Sequence, residues 1–317
     1  MQLKQATKEE IKQYYKEEYN IKEIPKYITK NIHQREFAFD RIGQGPRDRY
    51  NQYTQVQQLK KVIKAKKPYA AYSSIALYDN PGKREGYNQA EFVIDVDAKD
   101  NPIRTCQCTT GQICKHCLEE AKEIILQISD NIQELGYKDI HYVYSGRGYH
   151  LRIQDAELQK TDSTQRTEIL TYITAAEAPD LQEGLQHFII PFGYPKIYTE
   201  WFKYTTTHLK KDKIYPGISK QLKNDIIKKR KLIKTEQWGL VRGQITPTRY
   251  DKLLPKIANI HKTLCDTKVT IDTKRILRLP STLHYKVSMK CMAIKNIENF
   301  NPYDKAVPKF VEERKEK

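Results

Sequence analysis

The stretch EFVIDVD, residues 91–97, decides how this chain is expected to fold. Its β-branched content and its alternation predict a strand, and successive side chains of a strand point to opposite faces. The apolar side chains at even positions therefore pack on a core, whereas Asp95 and Asp97 project together from the other face. The sequence predicts a strand that carries two carboxylates on its open side.

Paired carboxylates of this kind suit a metal site. Side chains two residues apart on one strand lie ~7 Å apart, so their charges repel unless something positive sits between them. Mg²⁺ typically takes one or two carboxylates together with substrate phosphates, as in phosphoryl-transfer sites. The alternative is a solvated strand end that enters the turn at residues 98–102.

The flanking sequence predicts a mixed α+β fold. A capping box at Thr7 predicts a helix over residues 8–18, and apolar periodicity predicts another over 118–135, which Gly136 ends. Helical, lysine-rich stretches follow from 155 to about 255. We expect one domain built from residues 1–154 and 256–317, with a mainly helical lobe inserted at 155–255. Strands are predicted at 36–39, 70–78, 90–97, 141–145, 149–153 and 268–272.

The turn Gly146-Arg147-Gly148 joins two of these strands in a hairpin. Ser145, Arg147 and His150 surround its two glycines. Glycines let backbone N–H groups approach an oxyanion, and arginine binds phosphate through two hydrogen bonds. The turn is therefore a candidate triphosphate site, although no Walker loop is present. An ordinary hairpin with a solvated arginine is the alternative.

Four of the six cysteines fall within twelve residues, in a predicted knuckle at about 104–120. Their spacing is typical of a small structural zinc site, and free reduced thiols are the alternative. His116 is a possible substitute ligand, but between two cysteines it is expected to point away. The predicted ligands are Cys106, Cys108, Cys114 and Cys117.

The charge of the chain favours a polyanionic partner. Its 317 residues include 56 Lys and Arg against 39 Asp and Glu, which gives a net charge of +17. Nucleic acid is the first candidate, and a merely basic surface is the alternative. No apolar run approaches the ~18 residues of a membrane helix, and the first residues lack the apolar core of a signal peptide. We expect an intracellular protein with no membrane partner.

A second group of charged residues lies near the C-terminus. Asp266 and Asp272 offer further carboxylates, and a dense set of bases follows them. Acids and bases far apart in sequence suit a metal–nucleotide site, whereas the bases alone would suggest a basic surface. These bases are Arg275, Arg278, His284 and Lys286.

Taken together, the sequence resembles the catalytic (small) subunit of archaeal and eukaryotic DNA primases, and the archaeal branch fits best. The resemblance is collinear over nearly the whole chain and is weakest at 155–255. Besides the cysteine knuckle, it rests on REF (35–37), DRYNQY (48–53), PYAAYSSIALY (68–78), FVIDVDAKD (92–100), YSGRGYH (144–150), DTKVTIDTKRILRLPSTLHYK (266–286) and FNPYDKAVPKF (300–310).

The resemblance implies a primase-type catalytic fold with a zinc knuckle and a variable helical lobe. It also implies a metal-binding triad of Asp95, Asp97 and a third acid. The family pattern places that acid eighteen residues before His284, which favours Asp266 over Asp272. One departure is Cys108, where some relatives have histidine. The residues that match the nucleotide site of the family are Ser145, Arg147, His150, Arg278, His284 and Lys286.

The implied activity is the synthesis of short primers on single-stranded DNA from nucleoside triphosphates. Two Mg²⁺ or Mn²⁺ ions would serve the chemistry and Zn²⁺ the fold, and a primase large subunit would complete a heterodimer. The expected location is the cytoplasm, or the nucleus if the source is eukaryotic. One alternative is a primase-polymerase or end-joining-type polymerase that prefers deoxynucleotides. A less favoured one is a non-catalytic zinc-containing protein that binds nucleic acid.

Overall fold

The computed structural model describes residues 4–109, 112–179 and 190–314. The expected α+β fold is confirmed, while residues 110–111 of the knuckle and 180–189 of the helical region lie outside the described residues. The helices are α1 (Lys8–Glu17), α2 (Lys26–Thr29), α3 (Val56–Lys66), α4 (Lys115–Glu134), α5 (Ala156–Gln159), α6 (Ser163–Ile173), α7 (Gly193–His208), α8 (Lys220–Lys228), α9 (Arg230–Lys234), α10 (Trp238–Ile245), α11 (Pro247–Asp251), α12 (Leu254–His261), α13 (Thr267–Ile271), α14 (Pro302–Lys305) and α15 (Lys309–Glu313).

The strands form two four-stranded antiparallel sheets and two short ribbons. One sheet has the order β2-β1-β3-β9 and the other β12-β7-β8-β6, and the ribbons pair β4 with β5 and β10 with β11. Their bounds are β1 (Phe37–Asp40), β2 (Asp48–Asn51), β3 (Ala70–Ser74), β4 (Ala76–Asn80), β5 (Glu85–Ala90), β6 (Phe92–Asp97), β7 (Ile140–Tyr144), β8 (Gly148–Ile153), β9 (Ile276–Arg278), β10 (Leu283–His284), β11 (Met289–Lys290) and β12 (Met292–Ile294).

The central packing joins strand β6 to helix α4. Phe92, Ile94 and Val96 are fully buried in the largest apolar core, together with the inward face of α4, as the alternation predicts. Burying one such side chain stabilises the fold by roughly 1.5–3 kcal/mol. The helix ends where Gly136 adopts a φ of 96°, a left-handed conformation that glycine tolerates best. This packing fixes one face of β6 and leaves the other for the acids.

Two strand predictions need correction. The segment 70–78 is interrupted at Ile75, and its halves join different sheets. The prediction of a strand at 268–272 is wrong, because these residues lie in or directly after helix α13. The Asp266 side chain caps that helix by accepting from the Lys268 N–H at 3.1 Å, and the Thr270 hydroxyl donates to the Val93 carbonyl at 2.7 Å. Capping and tertiary contact override the β propensity of the segment.

Helix α13 is held against β6 by a buried arginine of helix α6. Arg166 donates to the carbonyl oxygens of Ala90 and Glu91, at 2.7 and 2.9 Å, and to that of Thr270 at 3.2 Å. A guanidinium has five donors in a rigid fork, so it can join several backbone segments at once. This arginine ties three elements together beneath the carboxylates.

The predicted helical region contains α5 to α11 and the start of α12, so its helical character is confirmed. Its buried apolar side chains, including Trp201 and Phe202, belong to the same core cluster as β6. The division into a domain of 1–154 and 256–317 and a lobe of 155–255 stays a prediction. Within the described residues, no helix is both long enough and apolar enough to cross a membrane.

A buried ion cluster joins the two large sheets. Glu91 is 2% exposed and binds Arg152 through two hydrogen bonds of 2.7 and 2.9 Å. Arg35 lies 2.6 Å from the same carboxylate and donates to the Ser74 carbonyl at 2.5 Å. Burial by itself raises the pKa of Glu91, but the charges of Arg152 and Arg35 outweigh it and hold that pKa below its usual value.

We expect Glu91→Gln to lower the free energy of unfolding by about 3–5 kcal/mol, because two guanidinium groups would remain buried beside a neutral amide. Urea denaturation measures this. Glu85→Gln, an exposed glutamate of strand β5, is the matched control and should change stability little. Equal stability of the two variants would contradict the structural role of Glu91.

Candidate active site

Strand β6 presents Asp95 and Asp97 from its open face, as predicted. Their side chains are 23% and 22% exposed. The antiparallel register places Asp95 opposite His150 and Asp97 opposite Gly148 on strand β8. The hairpin that carries the candidate triphosphate site therefore lies beside the carboxylate strand.

The structure brings Asp266 to the same place. Its backbone N–H donates to the Asp95 carbonyl at 2.8 Å, and its carboxylate lines a cleft of about 390 Å³ together with Asp95 and Asp97. Asp272 follows the other end of α13, where it pairs with Arg275 at 3.1 Å, and it does not line this cleft. Geometry thus groups Asp95, Asp97 and Asp266 and leaves Asp272 outside.

The clustered carboxylates perturb one another. The pKa of Asp95 is raised to about 7, first by burial and then by the charges of Asp97 and Asp266, while Arg147 and Arg278 act in the opposite direction. Because the charges of Asp97 and Asp266 oppose the ionisation of Asp95, a cation bound beside the three carboxylates would favour the fully ionised form. Three oxygen donors of this kind fit Mg²⁺ or Mn²⁺.

Arg147 connects the acids to the hairpin turn. Its Nη2 and Nε donate to Asp97 Oδ2 at 2.6 and 3.1 Å. Its Nη1 has no hydrogen-bond partner among the described residues. One part of the guanidinium therefore holds a carboxylate while another remains available to a ligand.

The two glycines of the turn are required by close packing. A Cβ on Gly146, whose φ is 101°, would lie 2.3 Å from the His284 Cβ. A Cβ on Gly148 would lie 2.1 Å from the Val96 carbonyl oxygen. Both distances are too short for any side chain. The glycines thus allow the turn to pack between β6 and His284, a reason the sequence alone did not supply.

Two buried imidazoles lie beside the acids. His150 and His284 are 4% and 5% exposed, and the Nδ1 atom of each lacks a hydrogen-bond partner in the structure. Burial, then the charges of Arg152 and Arg278, lowers the pKa of His150 to about 3. Burial, then Arg278 and Arg147, holds the pKa of His284 well below its usual value. Buried polar atoms without partners are uncommon and often mark a ligand site.

The remaining predicted nucleotide residues lie around these imidazoles. Arg278 donates to the Leu283 carbonyl at 3.1 Å, and its charge acts on Asp95 as well as on both histidines. Lys286 is exposed, and its charge acts on His284. Ser145 is half-buried, and its N–H closes the hairpin by donating to the Gly148 carbonyl at 2.9 Å.

The four clustered cysteines meet as predicted. Their sulfur atoms all lie within 4.8 Å of one another, which is consistent with a structural zinc site. Cys114 caps the N-terminus of α4, so the cluster is attached to the central helix. His116 is largely exposed and hydrogen-bonds to Thr105, away from the sulfurs, in accordance with a four-cysteine ligand set.

Sequence reasoning missed two residues of the acid cleft. Lys262 and Lys268 line it together with the three carboxylates. Both stand close to Asp266 in the sequence, four positions before it and two after it. That proximity was the only available signal, because lysines are frequent throughout this basic chain.

Comparison with known proteins identifies the relatives of this chain. The family model described as "DNA primase small subunit" matches residues 92–295. A DNA primase small subunit PriS from Methanobrevibacter smithii is 47% identical over 98% of this chain and 99% of its own length. The same-named protein of Methanothermobacter thermautotrophicus is 43% identical over 98% of each chain. That of Pyrococcus abyssi is 42% identical over 98% of this chain and 95% of its own length. These matches span the strand of the acids, the cysteine cluster and the hairpin turn, and the chain therefore belongs to the DNA primase small subunit family, the catalytic subunits that synthesise primers.

Proposed function

We propose that this chain performs nucleotidyl transfer at the cleft formed by Asp95, Asp97 and Asp266. The observation that carries the proposal is the meeting of these three acids in one cleft, beside two buried imidazoles whose Nδ1 atoms have no hydrogen-bond partner. Nucleotidyl transfer needs this combination, because the metal ions require oxygen ligands and the substrate phosphates require hydrogen-bond donors.

The three carboxylates would hold two Mg²⁺ or Mn²⁺ ions. Bound there, such ions lower the pKa of the attacking 3′-hydroxyl and neutralise the charge that develops on the leaving pyrophosphate. Asp266 depends on its neighbours for this role, since its hydrogen bond to the Asp95 carbonyl sets the distance between the two acids. The carboxylates thus act as one unit.

The triphosphate would lie against the hairpin and the C-terminal bases. Arg147 can bind phosphate through Nη1 while it continues to hold Asp97. The lowered pKa values of His150 and His284 favour neutral rings, and a neutral ring can donate one hydrogen bond without the cost of burying a charge. Ser145, Arg278 and Lys286 would complete the set of donors. Fixed donors of this kind hold the α-phosphorus in line for attack.

Zinc at the four cysteines would stabilise the knuckle, which contributes few buried apolar side chains of its own. The basic segment 203–234 supplies cations for template phosphates.

A primase large subunit would complete a heterodimer. Primer synthesis on single-stranded DNA, with and without that subunit, tests the function, and parallel reactions with ribo- and deoxynucleotides test the alternative of a polymerase that prefers deoxynucleotides.

Asp266→Asn should abolish nucleotide incorporation as fully as Asp95→Ala or Asp97→Ala, because each change removes a metal ligand from one cleft. Asp272→Asn is the matched control and should retain most activity, since Asp272 lies outside that cleft. Primer extension at saturating Mg²⁺ measures this. Loss of activity only in the Asp272 variant would overturn the choice of acid.

Asp95→Asn should stabilise the metal-free protein increasingly as the pH rises from about 4 to 7. The folded-state pKa of Asp95, near 7, exceeds the unfolded value of ~3.9. Ionisation of Asp95 therefore destabilises the folded wild type increasingly over this pH range, and the loss of stability becomes constant above it. The gain should reach roughly 2–4 kcal/mol at pH 8. Thermal unfolding with a chelator at several pH values checks it. A stability difference that does not vary with pH would show that the folded protein does not raise the pKa of Asp95.

Cys106→Ser and Cys117→Ser should each lose one zinc per chain and unfold more readily, with Asp95-dependent chemistry retained. Cys291→Ser is the control, because Cys291 stands outside the cluster and should leave the zinc content unchanged. Elemental analysis of protein purified without chelator gives the stoichiometry. Wild-type protein that contains no zinc would reject the site.

A further inference from the structure

The acid cleft has a second cationic wall. Lys262 follows helix α12 and Lys268 lies in α13, and both line the cleft that contains Asp95, Asp97 and Asp266. Both lysines are exposed. Neither forms an ion pair with any described carboxylate, although the cleft itself contains four aspartates. Their ammonium groups thus remain available to a ligand.

This wall is separate from the triphosphate residues. None of the six predicted nucleotide residues lines the cleft. Arg147 and the two histidines instead approach the acids from strand β8, the hairpin turn and β10. One group of cations therefore reaches the carboxylates from the hairpin side, and a second group, Lys262 and Lys268, lines the cleft itself.

Reaction geometry assigns different substrates to these two sides. In phosphoryl transfer the attacking oxygen and the leaving oxygen lie roughly in line, on opposite sides of the phosphorus. If pyrophosphate leaves toward Arg147 and His284, the attacking 3′-hydroxyl must arrive from the opposite side. The nucleotide that carries this hydroxyl also carries a backbone phosphate, and a negative charge near three carboxylates requires cations close by.

On the basis of the proposed function, we propose that Lys262 and Lys268 bind the backbone phosphates at the 3′ end of the primer strand. They hold the terminal nucleotide so that its hydroxyl faces the carboxylates. Flexible ammonium groups suit this task, because the strand must advance by one nucleotide after each addition. The lysines are positioning residues for the growing strand and do not contact the incoming triphosphate.

Kinetics of Lys262→Gln, Lys268→Gln and the double variant on a primed template test the proposal. Each single change should raise the KM for primer about tenfold and leave the KM for nucleotide unchanged. A tenfold change corresponds to the lower limit of the energy of a charge-assisted hydrogen bond. Lys252→Gln, an exposed lysine outside the cleft, is the matched control and should leave both values unchanged. A rise in the nucleotide KM with no change for primer would overturn the assignment.

A chemically altered primer locates the contact. Methylphosphonate at the last two internucleotide linkages removes their charge, so the wild-type KM for this primer should rise by about as much as the double substitution raises it for the normal primer. The double variant should discriminate little between the two primers. If the modification weakens wild type and double variant equally, the lysines bind elsewhere and the proposal fails.

Two controls separate this inference from the function on which it rests. If wild-type protein extends primers and Asp95→Ala does not, the proposed function stands whatever the lysine variants do. If the lysines only offset the charge of the acids, their variants should unfold more readily than wild type when the protein is free of metal ions. Their KM for primer should then stay normal. That outcome would reject the lysine assignment alone.

Discussion

The buried carboxylate of Glu91 is the interaction on which the rest of the structure depends. It lies immediately before strand β6 and binds Arg152 of β8 and Arg35, whose guanidinium also reaches the end of β3. Because a buried charge without partners costs several kcal/mol, this arrangement has little freedom to shift. Arg166 binds the adjacent carbonyls and extends the same constraint to α13. The positions of all three candidate catalytic acids follow from these contacts.

The charged side chains of the candidate active site are arranged around that framework. Carboxylates are gathered on the open face of β6 and at the cap of α13, where burial and then their mutual repulsion raise the pKa of Asp95. Arg147 holds Asp97 from the hairpin turn, Lys262 and Lys268 line the cleft, and burial lowers the pKa values of the two neighbouring imidazoles. Such an arrangement is unfavourable in isolation, and the proposed metal ions and phosphates would offset its charge; perturbed groups of this kind are typical of functional sites.

The cysteine cluster is coupled to the same framework through helix α4. Cys117 is fully buried in the main core, and the Thr105 N–H donates to Glu120 at 2.8 Å one turn further along the helix. Lys210 of the helical region donates to the Cys106 carbonyl at 3.0 Å. The knuckle therefore contacts both the sheet platform, through α4, and the helical region. Metal in the knuckle would stiffen a junction in the structure and not merely a loop.

Local pattern determined much of this protein. Alternation along residues 91–97 predicted which side chains of β6 are buried, the capping box predicted α1, and cysteine spacing predicted the cluster, because each depends on neighbours close in the chain. The helix at 267–271 was missed, since a hydrogen bond from Thr270 to Val93, 177 residues away, outweighs its local β propensity. The exclusion of Asp272 from the cleft, the second wall of Lys262 and Lys268, and the burial of Glu91 were likewise decided only by tertiary structure. Such features arise from contacts between distant segments, and no local pattern of residues encodes which segments will meet.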